Sequence, residues 1–219
     1  MNFAQRFFEV PSDLQNTWWG LVLWQLQLTL VPVAVGLAVA LPLGMLCARF
    51  RWFYPPVLGV STVFYAIPSL AFFVFLIDYT GESSLTVEIP LTVYTLVVLV
   101  PAIVDGMRSV SEDVRAAATA MGFGTLRRYL QVELPIAVPA IIAGLRVATV
   151  SSVSLVSVGM LIGNEGALGN LLSDALNYQR PLLAWDAVLS IAVLGVVLDG
   201  LLVLARRILT PWARKAASA

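Results

Sequence analysis

AAATAMGFGTLRRYLQVELP, residues Ala116–Pro135, is a polar, arginine-bearing island in a chain otherwise suited to lipid. Before it lies a mostly apolar run from about Val87 to Val104. After it, another runs from about Leu134 to Leu161 and carries one charge, Arg146. Runs of this kind approach or exceed the roughly 20 residues that a helix needs to cross a bilayer. Lipid supplies no hydrogen-bond partners, so a crossing backbone must be a helix or part of a closed barrel. Continuous rather than alternating apolar runs select helices.

Three further spans lie outward from this pair. One covers about residues 21–48 and is entered past Trp18, Trp19 and Trp24, indoles suited to the headgroup level. Another runs from about Val57 to Ile77 without a charge, and the last from about Leu182 to Ala205. Small residues recur every four positions at Gly36, Ala40, Gly44 and Ala48, and again at Ala140, Gly144, Ala148 and Ser152, which predicts close helix packing. The expected fold is all-α: a single membrane domain over 1–219, about five spans, with a loop at about 108–134. Arg49 and Arg51 follow span one, Arg108, Arg115, Arg127 and Arg128 follow span three, and Arg206, Arg207, Arg214 and Lys215 follow span five. The loop from Asp78 to Glu88 carries only acids. The positive-inside rule then places the island and the C-terminus in the cytoplasm and the N-terminus outside. Residues 1–20 mix Arg6, Glu9 and Asp13 with apolar residues and do not read as a cleavable signal.

Composition excludes several functions. The hydrophobic share is 59% and the mean hydropathy +0.89, far from soluble norms. There is no histidine, so imidazole catalysis and His-ligated metal are absent, and the single Cys47 forms neither an internal disulfide nor a cysteine cluster. The only lysine, Lys215, follows Arg214 rather than Gly, so the chain has no Walker A phosphate loop. No basic stripe suggests nucleic acid.

Within the island, Ser111 is placed to N-cap a helix whose first turn holds Glu112 and Asp113. Val114, Ala117, Ala118 and Met121 then share a face, and Gly122 permits a sharp turn. An interfacial amphipathic linker and a helix that docks on a partner both fit this pattern. The spacing Ala116-Ala117-Ala118-x3-Gly122-x9-Val132-x-Leu134-Pro135 resembles the Glu-Ala-Ala coupling loop of ABC-importer permeases, with Ala116 in place of the glutamate and Val132 in place of isoleucine. Leu23 to Leu46, Ala66 to Ala71 (AIPSLA) and Ile162 to Gly169 (IGNEGALG) are similar to the glycine betaine/carnitine/choline type, with Gln25 where a histidine is frequent. Methionine-type permeases share the five-span core.

The resemblance implies a type I importer permease of the bacterial inner membrane that makes no chemistry of its own. Ala116, Ala117, Ala118, Met121, Gly122, Leu134 and Pro135 would form its ATPase-coupling element. It implies two partner ATPase subunits that hold the ATP and Mg, a second permease identical or not, and an extracytoplasmic solute-binding protein. No cofactor is expected in this chain, and an osmoprotectant-like solute is implied. A permease for another small solute such as an amino acid, and a non-ABC channel or carrier, are the alternatives.

Four expectations concern transport. Arg146 lies about 16 Å past Pro135 at the helical rise, and Asp199 about 9 Å from the cytoplasmic end of its span. Charges inside spans are usually paired or functional, and an ion pair of Arg146 with Asp199 or Asp105 is preferred to a substrate role. Thr149, Ser151, Ser152, Ser154 and Ser157 make span four rich in hydroxyls, and either helix–helix hydrogen bonds or a polar translocation wall accounts for them. Phe64, Tyr65, Phe72 and Phe73 offer aromatic faces to a quaternary ammonium, or pack as ordinary lipid-facing or core residues. The glycine-interrupted stretch after span four is expected to fold back at the outer surface, with Glu165, Asp174 and Asn177 toward the binding protein.

Overall fold

The computed structural model describes residues 17–162 and 166–212. Its helices are α1 (Trp18–Arg49), α2 (Tyr54–Ala66), α3 (Ser69–Thr80), α4 (Ser84–Arg108), α5 (Glu112–Ala120), α6 (Thr125–Arg128), α7 (Leu134–Gly159), α8 (Gly169–Asn177) and α9 (Pro181–Leu209). A π-helical turn, Tyr129–Glu133, joins α6 to α7 without a break. No strand occurs among the described residues. Four helical stretches are long and apolar enough to cross a membrane, and the α2–α3 pair makes a fifth span if counted as one.

Lipid-grade sequences hold helix for 25 residues or more because no water competes for the backbone. Even Pro32 and Pro42 in α1 and Pro90 and Pro101 in α4 leave those helices intact. The center of the bundle is α4, on which both α1 and α7 pack. The small-residue stripes make this possible. A Cβ on Gly36 would sit 2.5 Å from Thr95 Cγ2, one on Gly44 2.6 Å from Ile103 Cγ2, and one on Gly144 2.5 Å from Ala102 Cβ. Both stripes therefore face α4, as expected of small residues between membrane helices. Around these contacts lie two apolar clusters. The first joins Ala40 and Cys47 of α1 to Leu99, Ile103 and Met107 of α4 and to Ala137 and Ile141 of α7. The second joins Leu28, Phe73, Val87, Leu91, Val156 and Met160. Cys47 is buried and free, a small core residue.

Gly144→Ala and Gly59→Ala form a matched test. Gly59 meets nothing within 4 Å of an added Cβ, so alanine there raises the melting temperature through helix propensity worth up to about 1 kcal/mol. At Gly144 the same methyl overpacks the α4–α7 seam and costs roughly 1–3 kcal/mol. Opposite signs of shift in detergent are expected, and equal shifts would contradict the packing described.

The span expected from Val57 to Ile77 is bent at its middle. Instead of one straight helix, α2 and α3 meet at 90°. Pro68 disfavors helical backbone at the residue before it and cannot donate an amide hydrogen bond. Ile67 is extended (φ −70°, ψ 123°) and ends α2. The carbonyl of Ile67, freed by the break, accepts a 2.8 Å hydrogen bond from Tyr94 Oη of α4. Broken backbone at membrane depth needs such a partner or a polar cavity. Trp24 also departs from the expected interfacial belt. Trp18 and Trp19 are exposed, but Trp24 turns inward against the second cluster.

Candidate functional site

Three regions of the structure carry polar groups that the packing of the bundle does not absorb. At the arginine-bearing end, α5 and α6 form an elbow between α4 and α7. Ser111 caps α5 as expected, its Oγ accepting from the Val114 amide at 3.4 Å, with Glu112 and Asp113 in the first turn. The helix ends in a Schellman turn: the Phe123 amide donates to Ala118 O and the Gly122 amide to Thr119 O. Gly122 takes the left-handed conformation this turn requires (φ 82°), in open space.

The exposed surface of the elbow differs in part from the expected face. Ala116, Ala117, Met121 and Gly122 are exposed, and Met121 is 70% accessible. Ala118 is buried, and Leu134 packs on the first cluster at the start of α7, where Pro135 occupies the first turn. Leu126, which the spacing did not single out, is 72% exposed. Met121 and Leu126 are thus two large apolar side chains exposed on a polar elbow.

Beneath the elbow is a residue that sequence reasoning missed. Glu133 is 2% exposed and accepts from Arg128 Nε at 2.9 Å, while Arg115 Nε stands 3.4 Å from its other carboxylate oxygen. Arg115 also donates to Met107 O of α4 at 2.8 Å and to Glu112 at 3.0 Å. Arg128 Nη1 donates to Thr119 Oγ1 of α5 at 3.0 Å. An acid at the apolar re-entry, five residues after an arginine, was the available signal. A π turn brings positions five apart onto one face.

The second region is a stripe on α7. Val147, Val150, Ser151 and Ser154 are exposed, with a cleft on each side. The cleft toward α8 and α9 holds about 1060 Å³, that toward the α2–α3 break about 620 Å³. Both are in the range of small-molecule sites. Of the expected path residues, the smaller cleft collects Tyr65, Ser151, Ser152 and Ser154, and adds Tyr94 and the Pro68 break. Phe64 is not in its wall and stacks on Phe72, and Phe73 is core. The hydroxyls differ in exposure: Ser151 and Ser154 are exposed on the clefts, Ser152 and Ser157 line a cleft from buried positions, and Thr149 is buried outside both. Ser157 takes part in a seam in which Gln25 Nε2 of α1 donates to Val153 O at 2.8 Å.

The expected ion pair is present. Arg146 Nε and Nη2 donate to the two carboxylate oxygens of Asp199 at 2.6 and 2.7 Å, a bidentate bridge between α7 and α9 in the wall of the larger cleft. Asp105, the other partner considered, is exposed at the far end of α4.

The third region is the glycine-rich stretch after α7. Of its described residues, Ala167 and Leu168 are fully buried. Gly166 (φ 117°) lies under the Trp24 indole, 2.7 Å from where a Cβ would stand. Asp174 of α8 is half-buried and Asn177 exposed, and Glu165 lies outside the described residues.

Comparison with known proteins supplies a frame for these regions. Residues 40–215 match the family model described as "Binding-protein-dependent transport system inner membrane component". "Osmoprotectant import permease protein OsmW" of Salmonella typhimurium (strain LT2) is 33% identical over 84% of this chain and 88% of its own length. "Carnitine transport permease protein OpuCB" of Listeria monocytogenes is 31% identical over 80% and 81%. "Choline transport system permease protein OpuBB" of Bacillus subtilis (strain 168) is 28% identical over 84% of both. The fold is shared with a chain of the inward-facing MetNI methionine ABC transporter, at a TM-score of 0.70 and 21% identity over 96% of this chain and 99% of that one.

Proposed function

Because the chain belongs to the binding-protein-dependent transport system inner membrane component family, as an ABC-importer permease, we propose that it carries a small osmoprotectant into the cell, of the betaine, choline or carnitine class. The observation that carries this reading is the α7 stripe. Ser151 and Ser154 are exposed in the second half of an otherwise apolar helix, on the face that borders both clefts, where lipid would leave their hydroxyls only the carbonyls of their own helix. A water-filled path between two permeases satisfies them. The aromatic face of Tyr65 on the same cleft suits a quaternary ammonium. Arg146 and Asp199 neutralize one another, so the larger cleft presents no net charge to trap a zwitterion. A path must bind its solute weakly enough to release it.

In this reading the elbow is cytoplasmic and docks on a partner ATPase, which holds the ATP and Mg. The dock involves Ala116, Ala117, Met121, Gly122 and Leu126. Leu134, Pro135 and the buried Ala118 support it from behind. A second permease completes the path. The N-terminus is outside, and the α8 end, with Asp174 and Asn177, meets a solute-binding protein. Closure of the ATPases favors one arrangement of the paired bundles and opening the other, a population shift driven by differential binding. The reading is tested in proteoliposomes holding the permease, its ATPase and its binding protein. ATP-dependent uptake of labeled glycine betaine, choline or carnitine is expected. Uptake of none of them, with an amino acid carried instead, would refute the assigned solute class.

A further inference from the structure

We infer that Glu133 is the positioning residue through which movement of the elbow reaches α7, an inference that rests on the elbow being the ATPase dock. The backbone route is poorly suited to carry that movement. Between α5 and α6 the chain passes through Gly122, Phe123 and Gly124, and neither glycine meets anything within 4 Å of an added Cβ. A push on α5 could be absorbed there by changes in φ and ψ.

The side chains bypass this joint. Arg128 holds Thr119, in the last turn of α5, with one nitrogen and Glu133, at the foot of α7, with another. Arg115, in the middle of α5, holds the last turn of α4 through Met107 O and faces Glu133 from the other side. One buried carboxylate thus receives a guanidinium from each limb of the elbow, and one of these also grips α4. Glu133 can meet both because the i→i+5 bond from the Leu134 amide to Tyr129 O rotates it inward at the head of α7. π turns of this kind are often found at functional sites. From Glu133, α7 continues as one helix, with Pro139 inside it, past Arg146 to the Ser151–Ser154 stripe, so a tilt at its foot reaches the clefts.

Other groups satisfy neighboring needs. Glu112 is exposed and pairs with Arg115 on the solvent side, so it leaves Glu133 as the inner counter-ion. Arg127 lies over the Phe123 ring and donates to Gln131, outside the network.

The test compares Glu133→Gln with the wild type in assembled complexes holding permease, ATPase and binding protein. Three readouts are taken: subunit yield, ATP hydrolysis, and solute carried per ATP. The expected result is normal co-purification and sustained hydrolysis, with solute per ATP lower by on the order of tenfold, in the range typical of coupling between sites. Adding Gly124→Ala, which stiffens the bypassed joint, is expected to recover part of that ratio. An assembled Glu133→Gln complex with a wild-type ratio overturns the inference. If Glu133→Gln does not assemble, Arg128→Gln decides. A reduced ratio supports the brace, and an unchanged ratio overturns it. Failure of both variants to assemble makes the network a folding element and also overturns it. If even the wild type shows no ATP-dependent uptake with its ATPase present, the importer reading itself has failed, and that outcome is separate from the others.

Discussion

Arg146→Ala is expected to lower the yield of folded, detergent-soluble protein by on the order of tenfold. The substitution leaves Asp199 within the span of α9 without the bidentate partner seen here. It also removes the polar link that holds α9 to α7. Little else does so strongly, since Ala187, Gly195 and Leu198 are the only buried residues of α9. Asp199→Ala should be similarly harmful, because an arginine then remains in its place unpaired. Neutralizing both, as Arg146→Leu with Asp199→Leu, is expected to recover much of the yield, since removing a pair leaves no uncompensated charge. Size-exclusion profiles of the two single variants and the double variant measure this. Uptake by the recovered double variant separates the two roles considered for the pair. Unchanged solute preference supports a structural link. A changed preference at normal yield assigns the pair to the solute path.

Gly122→Trp is expected to abolish co-purification with the ATPase while the permease still folds. Two effects combine. Gly122 has φ 82°, and an L-residue in left-handed backbone costs roughly 1–2 kcal/mol, which the local turn must absorb. The indole also projects from the surface that Met121 and Leu126 share. The surrounding space is open, so the substitution disturbs no packing in the bundle. A loss of at least tenfold in ATPase recovered per permease is expected, with Gly122→Ala, which carries only the backbone strain, at up to about tenfold. ATPase recovered in full from Gly122→Trp would remove the elbow from the docking role.

Features governed by scarcity were legible in the sequence. Charges are rare inside spans, so Arg146 had two acids to choose between, and the structure selects Asp199. The elbow was legible because a capping serine, two acids and a glycine at one helix length permit little else, and each takes its expected place. What failed to be legible depended on distant neighbors. Pro32, Pro42, Pro90 and Pro101 lie within intact helices, whereas Pro68 marks a right-angle break. No local pattern distinguishes them. A donor from another helix, the Tyr94 hydroxyl, meets the carbonyl left free at Ile67. Ala118 was placed on one face of α5 with Val114, Ala117 and Met121, but it is buried while the other three are exposed. Glu133 was overlooked for a related reason. It occupies an unspecified position in the motif, and its partners come from two different elements.

The central position of α4 also bears on how the chain is made. The spans leave the ribosome in sequence order, and the stripe on α1 finds its counterpart only in α4, more than fifty residues later. Until Thr95 and Ile103 have entered the bilayer, Gly36 and Gly44 face lipid. On this packing, the first half of the chain lacks its main partner until α4 is made. α7, made after both, has the joined surface of α1 and α4 to pack on. Nascent chains arrested just before α4 should be degraded readily, and those arrested just after it should persist.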